Sequence, residues 1–176
     1  MHYAAVLRAA SLLLRNTIWV AFQNDPLGQN LLPNELSIGL NSPGEMIRES
    51  SAHLSIWLYQ VSMQPTARNN LPPVSRGIPR VDRMPGGSVL DLSFLVTPLV
   101  QTAEENLLLL GGVIQALEEH PVLKLDQPKD GLSEELHVTF TEQTFEEQAW
   151  LWEALREPYR LSAVYRVQVV HTPVVE

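Results

Sequence analysis

The chain has no cysteine among its 176 residues. Disulfides, thiol catalysis and cysteine-based zinc sites are excluded with it. Positive charge is also scarce. Twelve Lys and Arg face 20 Asp and Glu, giving a net charge of −8 and a pI near 5.1. Affinity for phosphates needs a net basic face, so nucleic acid is not an expected partner. The P-loop, the dinucleotide fingerprint, the HExxH zinc motif and the G-x-S-x-G elbow are all missing. The five histidines, His2, His53, His120, His137 and His171, share no short ligand spacing, so no metal site is expected. No stretch reads as the ~20 apolar residues of a membrane span, so direct membrane insertion is not expected either. Residues 1–22 are apolar, but they lack a basic leader and are interrupted by Arg8 and Arg15, unlike a signal peptide.

What is present fits one domain over 1–176. Hydrophobic residues make up 45%, and a chain of this size can bury ~70% of the surface its unfolded form exposes. Arg8, Ser11 and Arg15 fall on one stripe of a helix over 4–22, whose wide apolar remainder calls for cover on more than one side. In 35–41, Leu36, Ile38 and Leu40 alternate with polar or small residues, the pattern of a strand with one covered face. Residues 53–63 read as a central strand, with Leu54, Ile56 and Leu58 facing one way and Trp57, Tyr59 and Val61 the other. In 88–100, Leu90, Leu92, Phe94 and Val96 oppose Val89, Asp91, Ser93 and Leu95. A helix over 103–119 carries Leu107, Leu110, Ile114 and Leu117 as its stripe. After the loop DQPKDG comes a strand over 135–140. Thr144 and Glu147 match a capping box that opens a helix to 155, and the last strand spans 162–172. The order α-β-β-β-α-β-α-β lacks regular strand–helix alternation. It predicts an α+β fold, a mixed and mainly antiparallel sheet with flanking helices.

Four features are candidates for function. Residues 65–87 carry Pro65, Pro72, Pro73, Pro79 and Pro85, and can form neither a helix nor a central strand. Arg68, Arg76, Arg80 and Arg83 lie there with Asp82 as the one acid. A solvated loop is the plain reading and a docking arm the sharper one. Prolines lower the entropy cost of ordering an arm, and arginine forks bind carboxylates in pairs of hydrogen bonds. An acidic body with a basic arm is self-complementary between copies. No aromatic is interleaved with these arginines, which disfavours nucleic acid. Gly111-Gly112 sits inside a helix at a cost of ~1 kcal/mol per glycine against alanine, for which close approach by another backbone is the expected reason. Trp150 and Trp152 point about 200° apart on a helix, so one belongs to the core and the other to a surface or an interface. Asp91 is an acid in an apolar strand. A structural pairing, with Arg166 as partner if the strands are neighbours, is favoured over a general base.

Four segments in this order, WLYQVSMQPTARNN, LDLSFLVTPL, LLLLGGVIQALEEHPVL and WLWEALREPYRLSAVYRVQVV, resemble the tail-cap family of contractile injection systems. These systems are phage-tail-like particles of bacteria and archaea. The resemblance is to the family's N-terminal domain and covers almost the whole chain. Arg68-Asn69 matches the Arg-Asn that follows the strand in the family. Where the family has Tyr-Arg-Val, this chain has Tyr59-Gln60-Val61 and lacks that arginine's charge. Members look like relatives of phage tail terminators. The resemblance implies a terminator-like fold and a homohexameric ring that closes the baseplate-distal end of inner tube and sheath. It implies tube and sheath proteins as partners, no catalysis and no cofactor. It also implies assembly in the cytoplasm into a particle that is released or membrane-associated. The candidates for the assembly interface are Arg68, Asn69, Arg76, Arg80, Arg83, Gly111, Gly112 and Trp150. A monomeric protein-binding adaptor is the alternative, and an enzyme working through Asp91 or a histidine is a further one.

Overall fold

The structure, a computed structural model, describes residues 3–48, 52–64, 89–125 and 132–173. Helices α1 (Tyr3–Gln23) and α2 (Pro26–Leu31) come first, and a 3-10 turn (Glu35–Ser37) leads into β1 (Ile38–Gly39). Then follow α3 (Pro43–Met46), β2 (Leu54–Gln64), β3 (Val89–Pro98), α4 (Ala103–Glu119), β4 (Val122–Leu125), β5 (Leu132–Phe140), α5 (Phe145–Leu155) and β6 (Ala163–Pro173). The strands form one sheet in the order β1-β2-β3-β6-β5-β4. β1 runs parallel to β2, and every other neighbouring pair is antiparallel. The α+β class with a mainly antiparallel sheet is therefore what the chain forms.

Two helices cover one face of the sheet and one covers the other. Leu90, Leu92, Phe94 and Val96 of β3 are buried together with Tyr165, Val167 and Val169 of β6. Onto them α1 lays Val6, Ala10, Leu14 and Ile18, a spacing of four that keeps one stripe inward. Beside it α4 lays Leu109, Leu110, Val113 and Leu117. Each such fully buried side chain contributes about 1.5–3 kcal/mol. On the opposite face Trp152 of α5 packs with Leu95 and Val164, and Trp57, Tyr59, Leu151 and Leu155 ring them. Side-chain caps fix where helices start. Capping boxes Ser42–Glu45, Thr102–Glu105 and Thr144–Glu147 open α3, α4 and α5. Hydrogen bonds from the Ser42 hydroxyl and backbone hold the Glu45 carboxyl below its ordinary range.

Several sequence expectations are corrected. By length and composition α1 is long and apolar enough to cross a membrane, contrary to the reading that no stretch is. A core helix passes the same test, and this one buries its inward stripe in the main core. Residues 35–41 are not an alternating strand: Leu36 is 80% exposed on the 3-10 turn, and only Ile38 and Gly39 pair with β2. The Asn34 side chain accepts from the Ser37 N–H, which closes that turn in place of a ladder. In β2 the register shifts between Leu58 and Gln60. The extra residue reverses the alternation, so Val61 and Met63 pair with Leu92 and Leu90 rather than sharing the face of Trp57. The α4 stripe is rotated from the expected one, with Leu107 exposed and Leu109 and Val113 buried. Strand β4, absent from the sequence reading, alternates Leu123 and Leu125 inward with Val122 and Lys124 outward. β3 and β6 are neighbours, which is the condition set for an Asp91–Arg166 pairing: Gln168 stands directly beside Asp91, and Arg166, beside Ser93, lies two residues along on the same face.

Two measurements test this architecture. Leu36→Ser is expected to change stability by less than about 0.5 kcal/mol and Ile38→Ala to cost about 2–5 kcal/mol in urea unfolding, whereas a strand over 35–41 would make both costly. The Tyr165 hydroxyl is buried without a hydrogen-bond partner among the described residues, and the ring meets Phe140 edge-on at 5.5 Å. Burial first, and the Glu118 carboxylate second, push its pKa from 10.0 up to about 12. The unfolded chain therefore ionises first, so stability present below pH 10 is lost as pH rises through about 12. Tyr165→Phe should flatten that decline and leave stability at pH 7 equal or higher. A steeper decline in the variant would refute the account.

Candidate assembly surfaces

Exposed apolar residues are spread over strands and loops, among them Val61, Met63 and Phe140, and also stand on the outer sides of the two helical layers. On α5, Thr144 caps the first turn and the carboxylate of Glu147 accepts from the Thr144 N–H at 2.9 Å. The helix ends at Arg156, whose φ of 56° lies in the left-handed region usually left to glycine. Between these ends Trp152 turns to the sheet and is 2% exposed, while Trp150 turns to solvent and is 66% exposed. That division is what their spacing requires. Glu146, Glu147 and Glu153 lie three or four positions from Trp150, so they flank it on the helix surface. Phe145, 72% exposed, leans on the Tyr159 ring with centroids 5.5 Å apart.

On the other layer, the glycine pair divides its roles. A Cβ on Gly112 would lie 2.5 Å from Phe22 Cζ, so this glycine seats the Phe22 ring between α1 and α4. The approaching group is a side chain, not the expected backbone. A Cβ on Gly111 would meet nothing within 4 Å. Gly111 is open to solvent between Leu107 and Leu108, which are more than half exposed one turn before it. A groove of about 520 Å³ runs between the C-terminal halves of α1 and α4, with Val20, Phe22, Asp25, Gly112 and Glu119 in its walls. Among the described residues no three His, Asp or Glu gather where they could hold a metal ion. His53 bonds the Leu31 carbonyl at 2.7 Å, and His120 the Ala116 carbonyl at 2.9 Å.

Arg68, Asn69, Arg76, Arg80 and Arg83 lie outside the described residues. Their segment joins Gln64 to Val89, which pair at the end of the β2–β3 hairpin. The structure does not bring Gly111 and Trp150 together, since α4 and α5 cover opposite faces of the sheet. Sequence reasoning missed Leu107, Leu108 and Phe145 as surface groups. The run Leu107–Leu110 is the signal for the first two, because four successive leucines cannot share one helix face.

A family model described as the Pvc16 N-terminal domain matches residues 12–173. The chain belongs to this family. No curated protein matches it. Among solved structures it is similar to the PVC sheath/tube terminator of an extracellular contractile injection system in its extended state. Identity is 17% and the TM-score 0.50, covering 85% of this chain and 55% of that one. It is also similar to the tube-terminating cap of the anti-feeding prophage, with 17% identity and a TM-score of 0.41, over 69% of this chain and 43% of that one. The chain thus spans about half the length of the chains it matches. The tail-cap resemblance carried by the four sequence segments holds for family, and the terminator likeness holds for fold.

In this Pvc16 N-terminal domain the two glycines should behave oppositely. Gly111→Ala is expected to stabilise the fold by up to ~1 kcal/mol. Gly112→Ala must displace the Phe22 ring, and should cost about 1–3 kcal/mol. Denaturant unfolding of both variants checks this, and equal effects would contradict the division.

Proposed function

We propose that this chain is a structural assembly protein that caps the baseplate-distal end of a contractile injection system. It terminates inner tube and sheath as a homohexameric ring and performs no catalysis. The observation that carries this reading is the family match over residues 12–173, supported by the fold shared with a sheath/tube terminator. A cap must be stiff and must offer apolar contact. A six-stranded sheet covered by helices on both faces supplies the stiffness, and Leu107, Leu108, Phe145 and Trp150 supply exposed apolar area. Its partners are then further copies of itself and the sheath and tube proteins of the same particle, with assembly in the cytoplasm.

The test is removal of the chain from cells that build the particle. Tails of uncontrolled length with unclosed distal ends are expected by electron microscopy. Light scattering of the purified chain, alone and with tube ends added, should find the mass of a hexamer in at least the second case. Uniform tails without the chain, together with a monomeric mass in both cases, would favour an adaptor and overturn the cap.

A further inference from the structure

The outer face of α5 combines two things that are poor neighbours in water. Trp150 projects from the helix at 66% exposure, and Glu146, Glu147 and Glu153 surround it. No Lys or Arg lies between Phe145 and Leu155; Arg156 caps the helix three residues past Glu153, and among the described residues no salt bridge engages any of the three glutamates. A partner that brings guanidinium groups satisfies both features at once. The planar cation stacks on the indole and its fork bonds the carboxylates.

The chain holds a segment of that chemistry. Residues 65–88 carry Arg68, Arg76, Arg80 and Arg83 against the single acid Asp82, in a protein whose net charge is −8. The segment is rooted at Gln64 and Val89, which are paired. α5 instead packs near Trp57 and Leu95, toward the other end of the same two strands. Seven steps of β2 separate Trp57 from Gln64, about 23 Å at ~3.3 Å per residue. The two ends to which the segment is attached therefore lie well away from α5 along the sheet.

We propose that the acidic, tryptophan-bearing face of α5 receives the arginine segment 65–88 of a second copy of this chain. The proposal rests on the self-association proposed above and names the surface that carries it. Donor and receptor are different patches of one protomer, so each copy gives one contact and takes one, the arrangement that closes a ring.

The test is a charge exchange in the full-length chain, read as mass by light scattering under conditions in which the wild type assembles. One variant carries Arg76→Glu, Arg80→Glu and Arg83→Glu; the other carries Glu146→Arg, Glu147→Arg and Glu153→Arg. All three α5 positions are exposed, and circular dichroism confirms that both variants fold. Each variant alone is expected to be monomeric, and an equimolar mixture to recover assembly, because each then offers what the other lacks. Trp150→Ala should weaken wild-type assembly at least about tenfold. Wild-type mass in the α5 variant overturns the proposal while leaving the ring intact. Recovery in a single chain that carries all six substitutions, but not in the mixture, assigns the contact to one chain and overturns it too. A wild type that stays monomeric even with tube ends removes the ring itself, and this proposal with it.

Discussion

Strand β3 demands cover on both sides, and the rest of the fold answers that demand. Leu92 and Phe94 face one way and Leu95 the other, all without exposure to solvent. One helical layer cannot shield both, so α1 and α4 take the first face and α5 the second. The loss would be large if either layer were missing, since each buried residue contributes about 1.5–3 kcal/mol. Residues that serve this burial are fixed in place. Those on the far sides of the helices are free to serve something else.

The second face is apolar only over part of its length. Trp57, Tyr59, Leu95 and Val164 lie under or around α5. Past the register shift in β2 the same face shows Gln60 beside Ser93 and Ser62 beside Asp91, with Gln168 and Arg166 on the adjoining strand. The bulge makes this division possible. It turns Gln60 and Ser62 onto the polar end and sends Val61 and Met63 to the side of Leu92 and Leu90. A short α5 suffices because it has only the apolar end to cover.

Much of this was legible in the residues. Alternation in β3 and β6, the Thr144 capping box and the opposed tryptophans each follow from a period or a cap that local chemistry enforces. The failures also have local causes. Leu36, Ile38 and Leu40 mimic a strand, but Asn34 offers the Ser37 N–H a side-chain acceptor and the chain turns instead. The polar–apolar phase of Gln60-Val61-Ser62-Met63 was already reversed relative to Trp57 and Tyr59, yet an extra residue in one strand has meaning only against its partner's register. Four leucines in a row leave the azimuth of α4 open, and the Phe22 ring seated on Gly112 settles it. For the candidate assembly surface, the sequence pointed to Trp150. Its ring of glutamates became apparent only once the helix was placed with Trp152 inward.

The glycine pair shows how the division between fold and assembly runs through a single dipeptide. Gly112 has a reason within the chain, because any side chain there would collide with Phe22. Gly111 has none: its site is open, and alanine would favour the helix more. A residue that weakens its own helix without helping its own fold is accounted for if another surface comes close there. Leu107 and Leu108 beside it are apolar and exposed, so such a contact would also remove greasy area from water. That patch lies on the opposite side of the sheet from Trp150. Under the proposed ring, a protomer needs different contact surfaces toward its two neighbours, and the two-sided cover of β3 provides outward helix faces pointing apart.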